Sequence, residues 1–235
     1  MDEKGKYMEK IIIVGMSTNA RHVFEFVTNY NLFEVIGFAV DEQYKTEEFF
    51  YDKPVYALEA LAEQIDRDEV KLFIALLWNR LNADRRDLYF RLKSQGYQFA
   101  NIISPKAVVR GKIKGDNCWI HDFVLIQNDA EIGNNVAIMA FSLVGAHCRI
   151  EDHCFLGAKS TVGGNSYVGN QTFVGINCTI FDDTRIGKKC ILGACTNIKR
   201  NMPDYTCVKT STSFEIKQYD NDTIEEKLIF YKNVR

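Results

Sequence analysis

Much of what would place a sequence quickly is missing from this one. Its 235 residues hold no apolar run of the ~18 residues that a membrane-spanning helix needs, so no membrane insertion is expected. Charge of one sign is also absent. Lys and Arg number 29 against 31 Asp and Glu, for a formal net charge of −2, so no basic face is forced and no nucleic-acid partner is implied. The opening MDEKGKYMEK is charged and polar, unlike a secretory signal. Histidines number only four, and no Cys-x-x-Cys pair or Cys/His cluster has zinc spacing, so no metal is expected. Seven cysteines are present, but Cys148, Cys154, Cys178 and Cys190 are separated by multiples of six. That spacing belongs to a repeat, and the thiols are expected to be free in a reducing compartment.

The first hundred residues alternate strand and helix. KIIIVG (10–15), FEVIGFAVDE (33–42) and VKLFIALL (70–77) read as buried strands. NARHVFEFVTNYN reads as a helix capped by Asn19, ALEALAEQI as a second helix, and NADRRDLYFRLKSQG as a third with Gly96 after its end. YQFANII closes the unit before Ser104-Pro105. This order predicts a Rossmann-like parallel sheet over residues 1–104, with ligands at the carboxyl ends of the strands. The first turn, GMSTNA, lacks the glycines of G-x-G-x-x-G, so a dinucleotide fingerprint is not supported. A smaller nucleotide-bearing ligand at Ser17, Thr18 and Asn19, with Asp41 and Glu42 as acceptors, is the functional reading. A packing domain with no ligand is the bland one.

From residue 105 a six-residue period takes over. Every sixth residue from Ile120 to Ile198 is aliphatic, and the position four later in each hexad is almost always small. A period of six with one aliphatic and one small inward residue predicts a left-handed parallel β-helix over residues 105–210, three hexads to a coil. Coils stack at the ~4.8 Å strand spacing. The same phase predicts the cysteines as small inward fillers, with one extra residue near Lys114. Solenoids of this kind leave flat faces open, so a homotrimer with sites between subunits is expected. Residues 211–235 are expected to end in a short amphipathic helix, NDTIEEKLIFYKN.

On IIIVG, ANIISPKAVV and CILGACTNIKRNMPD, the chain resembles the hexapeptide-repeat sugar acyltransferases, in particular the sialic acid O-acetyltransferase and bacillosamine-type N-acetyltransferase group. The resemblance implies acetyl-CoA or another acyl-CoA as co-substrate, a nucleotide-linked amino sugar as acceptor, and a bacterial cytoplasmic trimer making surface-glycan precursors. It implies a catalytic segment of the form V-x-H-D/E-C-x-I-G. Here Val144, Cys148 and Ile150 fix the phase, so Ala146 takes the histidine's place and His147 the acidic residue's place. His147, one coil above Asp129, is then a candidate displaced general base, the other reading being a histidine of the rim or trimer interface. The resemblance also implies Gly164 as an oxyanion amide and cofactor contact. Phe155, Ile176 and Ala194 are further cofactor contacts, and Leu77-Trp78 forms a bulkier pocket wall that includes Leu77. Lys188, Lys189, Lys199 and Arg200 are candidate contacts for coenzyme A phosphates.

Loss of the usual base bears on the acceptor. A general base contributes about 10²–10⁴-fold, and a neutral amine is itself a nucleophile, whereas a hydroxyl needs the base. N-acylation is therefore the leading expectation. Sugar O-acetylation, a zinc-dependent hydratase on the same coil, and a non-catalytic binding protein are the alternatives.

Overall fold

The computed structural model describes residues 8–210. Strand β1 (Lys10–Val14), helix α1 (Thr18–Asn29), β2 (Glu34–Val40), β3 (Phe49–Phe50), β4 (Lys53–Ala57), α2 (Leu61–Gln64), β5 (Val70–Ile74) and α3 (Ala83–Ser94) build the first unit. The sheet order is β3-β4-β2-β1-β5. All neighbours are parallel except β3, which returns antiparallel on β4. This hairpin was not expected, because Pro54 and two short segments hide its period. Ser17, not Asn19, precedes α1, and α2 is one turn long where the sequence suggested a longer helix. Gly96, with φ of +86°, ends α3 as expected.

Residues 102–208 form the left-handed coil expected from the hexads. The coil begins at Ile102–Ile103, ahead of the break expected after residue 104, because this pair already runs parallel to Trp119–Ile120. Two-residue strands stack into three parallel sheets. One, from Ile102–Ile103 to Cys207–Val208, is the docked face, because α1 packs on it through Trp119. The second, from Val108–Val109 to Asn197–Ile198, presents Val108, Leu125, Leu143, Thr161 and Thr179 outward and is called the apolar face. The third, from Lys112–Ile113 to Arg185–Ile186, presents Lys112, Glu131, Arg149, Tyr167 and Arg185 and is the charged face. The aliphatic column from Ile120 to Ile198 is at most 1% exposed. The first coil carries the extra residue at Lys114–Gly115, and it also has a shortened turn at Arg110–Gly111 that the repeat did not forecast.

The small inward column does more than fill space. Its hydroxyls and thiols donate to carbonyls of the next coil. Ser142 Oγ reaches Gly157 O at 3.0 Å, Cys148 Sγ reaches Gly163 O at 2.9 Å, and Thr172 Oγ1 reaches Gly187 O at 2.9 Å. Burial pushes the Cys154 thiol up to about 12, so it stays protonated and able to donate to Gly169 O at 3.2 Å. The buried hydroxyls and thiols are thereby paired, and the corner carbonyls of Gly163, Gly169 and Gly187 gain a donor.

From Asn117 to Cys195 every corner closes on a left-handed residue. The column between charged and docked faces holds Asn117, Asn135, His153 and Gln171, all with positive φ and all buried against the first unit. Ile74 N–H donates to Asn117 Oδ1 at 2.9 Å, Asn117 Nδ2 to Asn135 Oδ1 at 2.6 Å, and Asn135 Nδ2 to His153 Nδ1 at 2.9 Å. A main-chain N–H can only donate, so the whole chain of bonds has one direction. His153 must accept at Nδ1 and is neutral. Burial lowers its pKa from 6.5 to about 4, in agreement. Arg85, 1% exposed, fastens the same seam by donating to the carbonyls of Ile74, Leu76 and Asn117.

Candidate functional site

In the first sheet the chain runs from β1 outward to β2 and β4 on one side, then crosses back to place β5 on the other. The order reverses there, and a crevice opens at the carboxyl ends of the strands. A cleft of about 560 Å³ lies in that region, lined by Asp41, Tyr44, Leu76, Arg80, Asp84 and Arg91, among others. Gly15, with φ of +129°, turns the chain out of β1. Ser17 and Thr18 are exposed and Asn19 is half-buried. Ser17 gives α1 no side-chain cap, which leaves first-turn N–H groups available to an anion such as a diphosphate. Asp41 forms an ion pair with Arg91. Glu42 keeps an exposed carboxylate while its N–H donates to Glu59 Oε2 at 2.9 Å. Leu77, expected in the pocket wall, is 5% exposed within the apolar core between sheet and coil, and its neighbour Trp78 is the outward residue at 49%.

The coil residues fall on two corners. Between the apolar and charged faces, Asp129, His147, Asn165 and Asp183 are the left-handed residues of successive coils. His147 Nδ1 lies 3.7 Å from Asp129 Oδ2, with side chains 62% and 70% exposed. Ala146 precedes His147 in the turn, its N–H on Gln127 Oε1 at 3.0 Å. The Gly164 amide is not open for an acyl oxygen, because it donates to Asp182 Oδ1 at 2.6 Å. An acyl carbonyl would have to displace that carboxylate. Between the docked and apolar faces, Ile176 is 58% exposed, and Ala194, one coil above it, is exposed too.

Phe155, expected as a cofactor contact, is 5% exposed, packed at an angle against Trp78 at 5.2 Å and stacked on Phe173 at 5.2 Å, so it supports Trp78. The basic residues also divide. Lys199 stands over Phe181 at 5.3 Å beside the apolar–charged corner, whereas Lys188 pairs with Asp204 at 3.6 Å on the charged–docked corner. They do not form one phosphate patch. Within one chain, therefore, Ile176 and Ala194 lie at one edge of the apolar face, and His147, Gly164 and Lys199 at the other.

Arg80 and Arg91 were not singled out from sequence, nor was the buried column ending at His153. The column was available there: every eighteenth residue from Asn117 is Asn, Asn, His, Gln, a run of amide and imidazole groups. The arginines carry no such signal, because NADRRDLYFRLK reads as an ordinary charged helix surface. Among the described residues, no three His, Cys, Asp or Glu side chains converge as a metal site would require, and no helix is long and apolar enough to cross a membrane.

Residues 114–229 match a family model described as the GMPPB C-terminal domain. Comparison with curated protein sequences gave no match. Among solved structures, a perosamine N-acetyltransferase from Caulobacter crescentus, with one histidine replaced by asparagine and in complex with CoA and GDP-perosamine, is 25% identical. The match covers 84% of this chain and 92% of that one, with a TM-score of 0.75. The form with alanine in place of the histidine is 27% identical over the same shares, with a TM-score of 0.74. The acetyltransferase domain of PglB from Neisseria gonorrhoeae, in complex with acetyl coenzyme A, shares the fold at 17% identity and a TM-score of 0.74, over 85% of this chain and 95% of that one.

Proposed function

We infer that this chain, which belongs to the hexapeptide-repeat sugar acyltransferases, transfers an acetyl or other short acyl group from acyl-CoA to the amine of a nucleotide-linked amino sugar. One observation carries the reading. The likeness to an enzyme bound to CoA and GDP-perosamine spans both units, the sheet with its crevice and the coil, over 84% of the chain.

The amine nitrogen attacks the thioester carbon directly. The C–S bond breaks, the amide C–N bond forms, and the proton lost from nitrogen ends on the departing thiolate. This balance needs no resident base, which suits a coil with Ala146 where the resemblance implies a histidine. Positioning of amine and thioester supplies the rate. His147, exposed beside Asp129, is available to accept a proton but is not obligatory.

The reading includes a homotrimer. The charged face suits solvent, the docked face is covered, and the apolar face bears Val108, Leu125 and Leu143, with Phe123 and Phe141 stacked at its edge at 4.9 Å. Three copies with apolar faces around a common axis would set the Ile176–Ala194 corner of one against the His147–Gly164 corner of the next. Such an enzyme would work in a bacterial cytoplasm on precursors of surface glycans. Release of the CoA thiol from acetyl-CoA in the presence of amino-sugar nucleotides tests the activity. Turnover only with hydroxyl acceptors would replace N-acylation by O-acylation, and none with either would leave a binding protein.

A further inference from the structure

We propose that Trp78 is the platform on which the sugar ring of the nucleotide-linked substrate stacks. The proposal rests on the acyltransferase reading and adds the group that recognises the sugar.

The loop after β5 has an unusual backbone. Trp78, Arg80, Leu81 and Asn82 have φ of 31°, 47°, 58° and 60°, four left-handed residues within five positions and none of them glycine. Bulky residues rarely adopt this conformation unless their surroundings impose it. The coil imposes it here. Asn82 Nδ2 donates to the His153 carbonyl at 2.8 Å, Gln171 Nε2 donates to the Leu81 carbonyl at 2.9 Å, and Phe155 carries the Trp78 ring. Arg85 holds the Leu76 carbonyl at 3.0 Å. The loop is thus clamped, and its largest side chain is 49% exposed. Trp119, the other tryptophan, is fully buried.

Position selects which part of the substrate meets this ring. The charged cleft of Asp41, Arg80 and Arg91 lies over the first sheet, where it suits the nucleoside, and the open first turn of α1 suits the diphosphate. Trp78 lies in the loop between Leu76 and Arg80, which both line that cleft, and its ring contacts Phe155 of the docked face. The acceptor amine must reach the coil for acyl transfer, so the sugar is the part that passes Trp78. An indole face is apolar with a negative quadrupole, and the C–H face of a pyranose is its complement. Phe155 and Phe173, stacked beneath, fix the tilt of the platform.

Trp119→Phe leaves Trp78 as the sole fluorophore, since the chain has two tryptophans. The probes are the amino-sugar nucleotide that the wild-type enzyme turns over, beginning with GDP-perosamine, and its bare nucleoside diphosphate. The sugar nucleotide is expected to shift Trp78 emission and cut acrylamide quenching at least twofold, and the bare diphosphate to do neither. Trp78→Ala should raise KM for the sugar nucleotide about tenfold, with KM for acyl-CoA and inhibition by the bare diphosphate changing less than twofold. Trp78→Phe, which keeps a ring, should restore KM to within threefold. Equal protection by the bare diphosphate, or an equal rise in its inhibition constant, would overturn the proposal. Turnover of no amino sugar by the wild type would instead overturn the reading beneath it, and the platform with it.

Discussion

Acid should loosen the seam between sheet and coil through one side chain. His153 is 4% exposed and accepts Asn135 Nδ2 at Nδ1, so burial holds its pKa down, from 6.5 to about 4. Above pH 6.5 the ring is neutral folded or unfolded, and its contribution to stability is fully present. Between 6.5 and 4 only the unfolded ring takes up a proton, so stability falls as the pH falls. Linkage over that shift gives a loss of about 2 kcal/mol at pH 5 relative to pH 7.5, approaching ~3 kcal/mol below pH 4. At about 2–4 °C per kcal/mol for a chain of this size, Tm should drop by roughly 4–8 °C from this group alone. Carboxylates titrate nearby, so the informative quantity is a difference. His153→Gln keeps an acceptor for Asn135 and removes the titration. Thermal unfolding followed by circular dichroism at pH 7.5 and 5.0 should show the variant losing about 2 kcal/mol less than wild type. An identical pH dependence in the two proteins would refute the assignment of a neutral, buried His153.

Two further perturbations follow from the coil geometry. A Cβ on Gly145 would sit 2.7 Å from Gly164 N, main chain against main chain, whereas one on Gly164 meets Ala146 O and Asp182 Oδ1 at an ordinary 3.5 Å. Gly145→Ala should therefore cost about 2–3 kcal/mol in urea unfolding and Gly164→Ala less than about 0.5; equal costs would contradict the stacking. Asp182→Ala frees the Gly164 amide, and if that amide receives the acyl oxygen, kcat/KM for acyl-CoA should rise severalfold. A fall would show that Asp182 orders the turn instead.

The coil was legible because its period leaves no second reading. Even the phase at His147 came through, since its φ of 57° falls in line with Asp129, Asn165 and Asp183. Which face is covered was not legible. Trp119, Ala137 and Phe155 are outward residues of the repeat and become core only because α1 and the β5 loop dock there. The resemblance made Phe155 a cofactor contact, and nothing in the repeat marked it as covered by the first unit. The burial of Leu77 was hidden in the same way: a strand-end leucine points either way, and the docked coil covers it. Pairing of Gly164 with Asp182 joins residues 18 apart across stacked coils, a contact that six-residue periodicity places but does not show to be bonded.

The most direct test of the central claim is acyl transfer from acetyl-CoA to an amino-sugar nucleotide, followed by thiol release and product mass, on wild type and His147→Ala. Direct attack by a neutral amine predicts an N-acetylated product from both, with kcat of the variant within about tenfold of wild type, well inside what a general base contributes. Absence of an N-acetylated product from the wild type, or a thousandfold loss in a correctly folded variant, would contradict it.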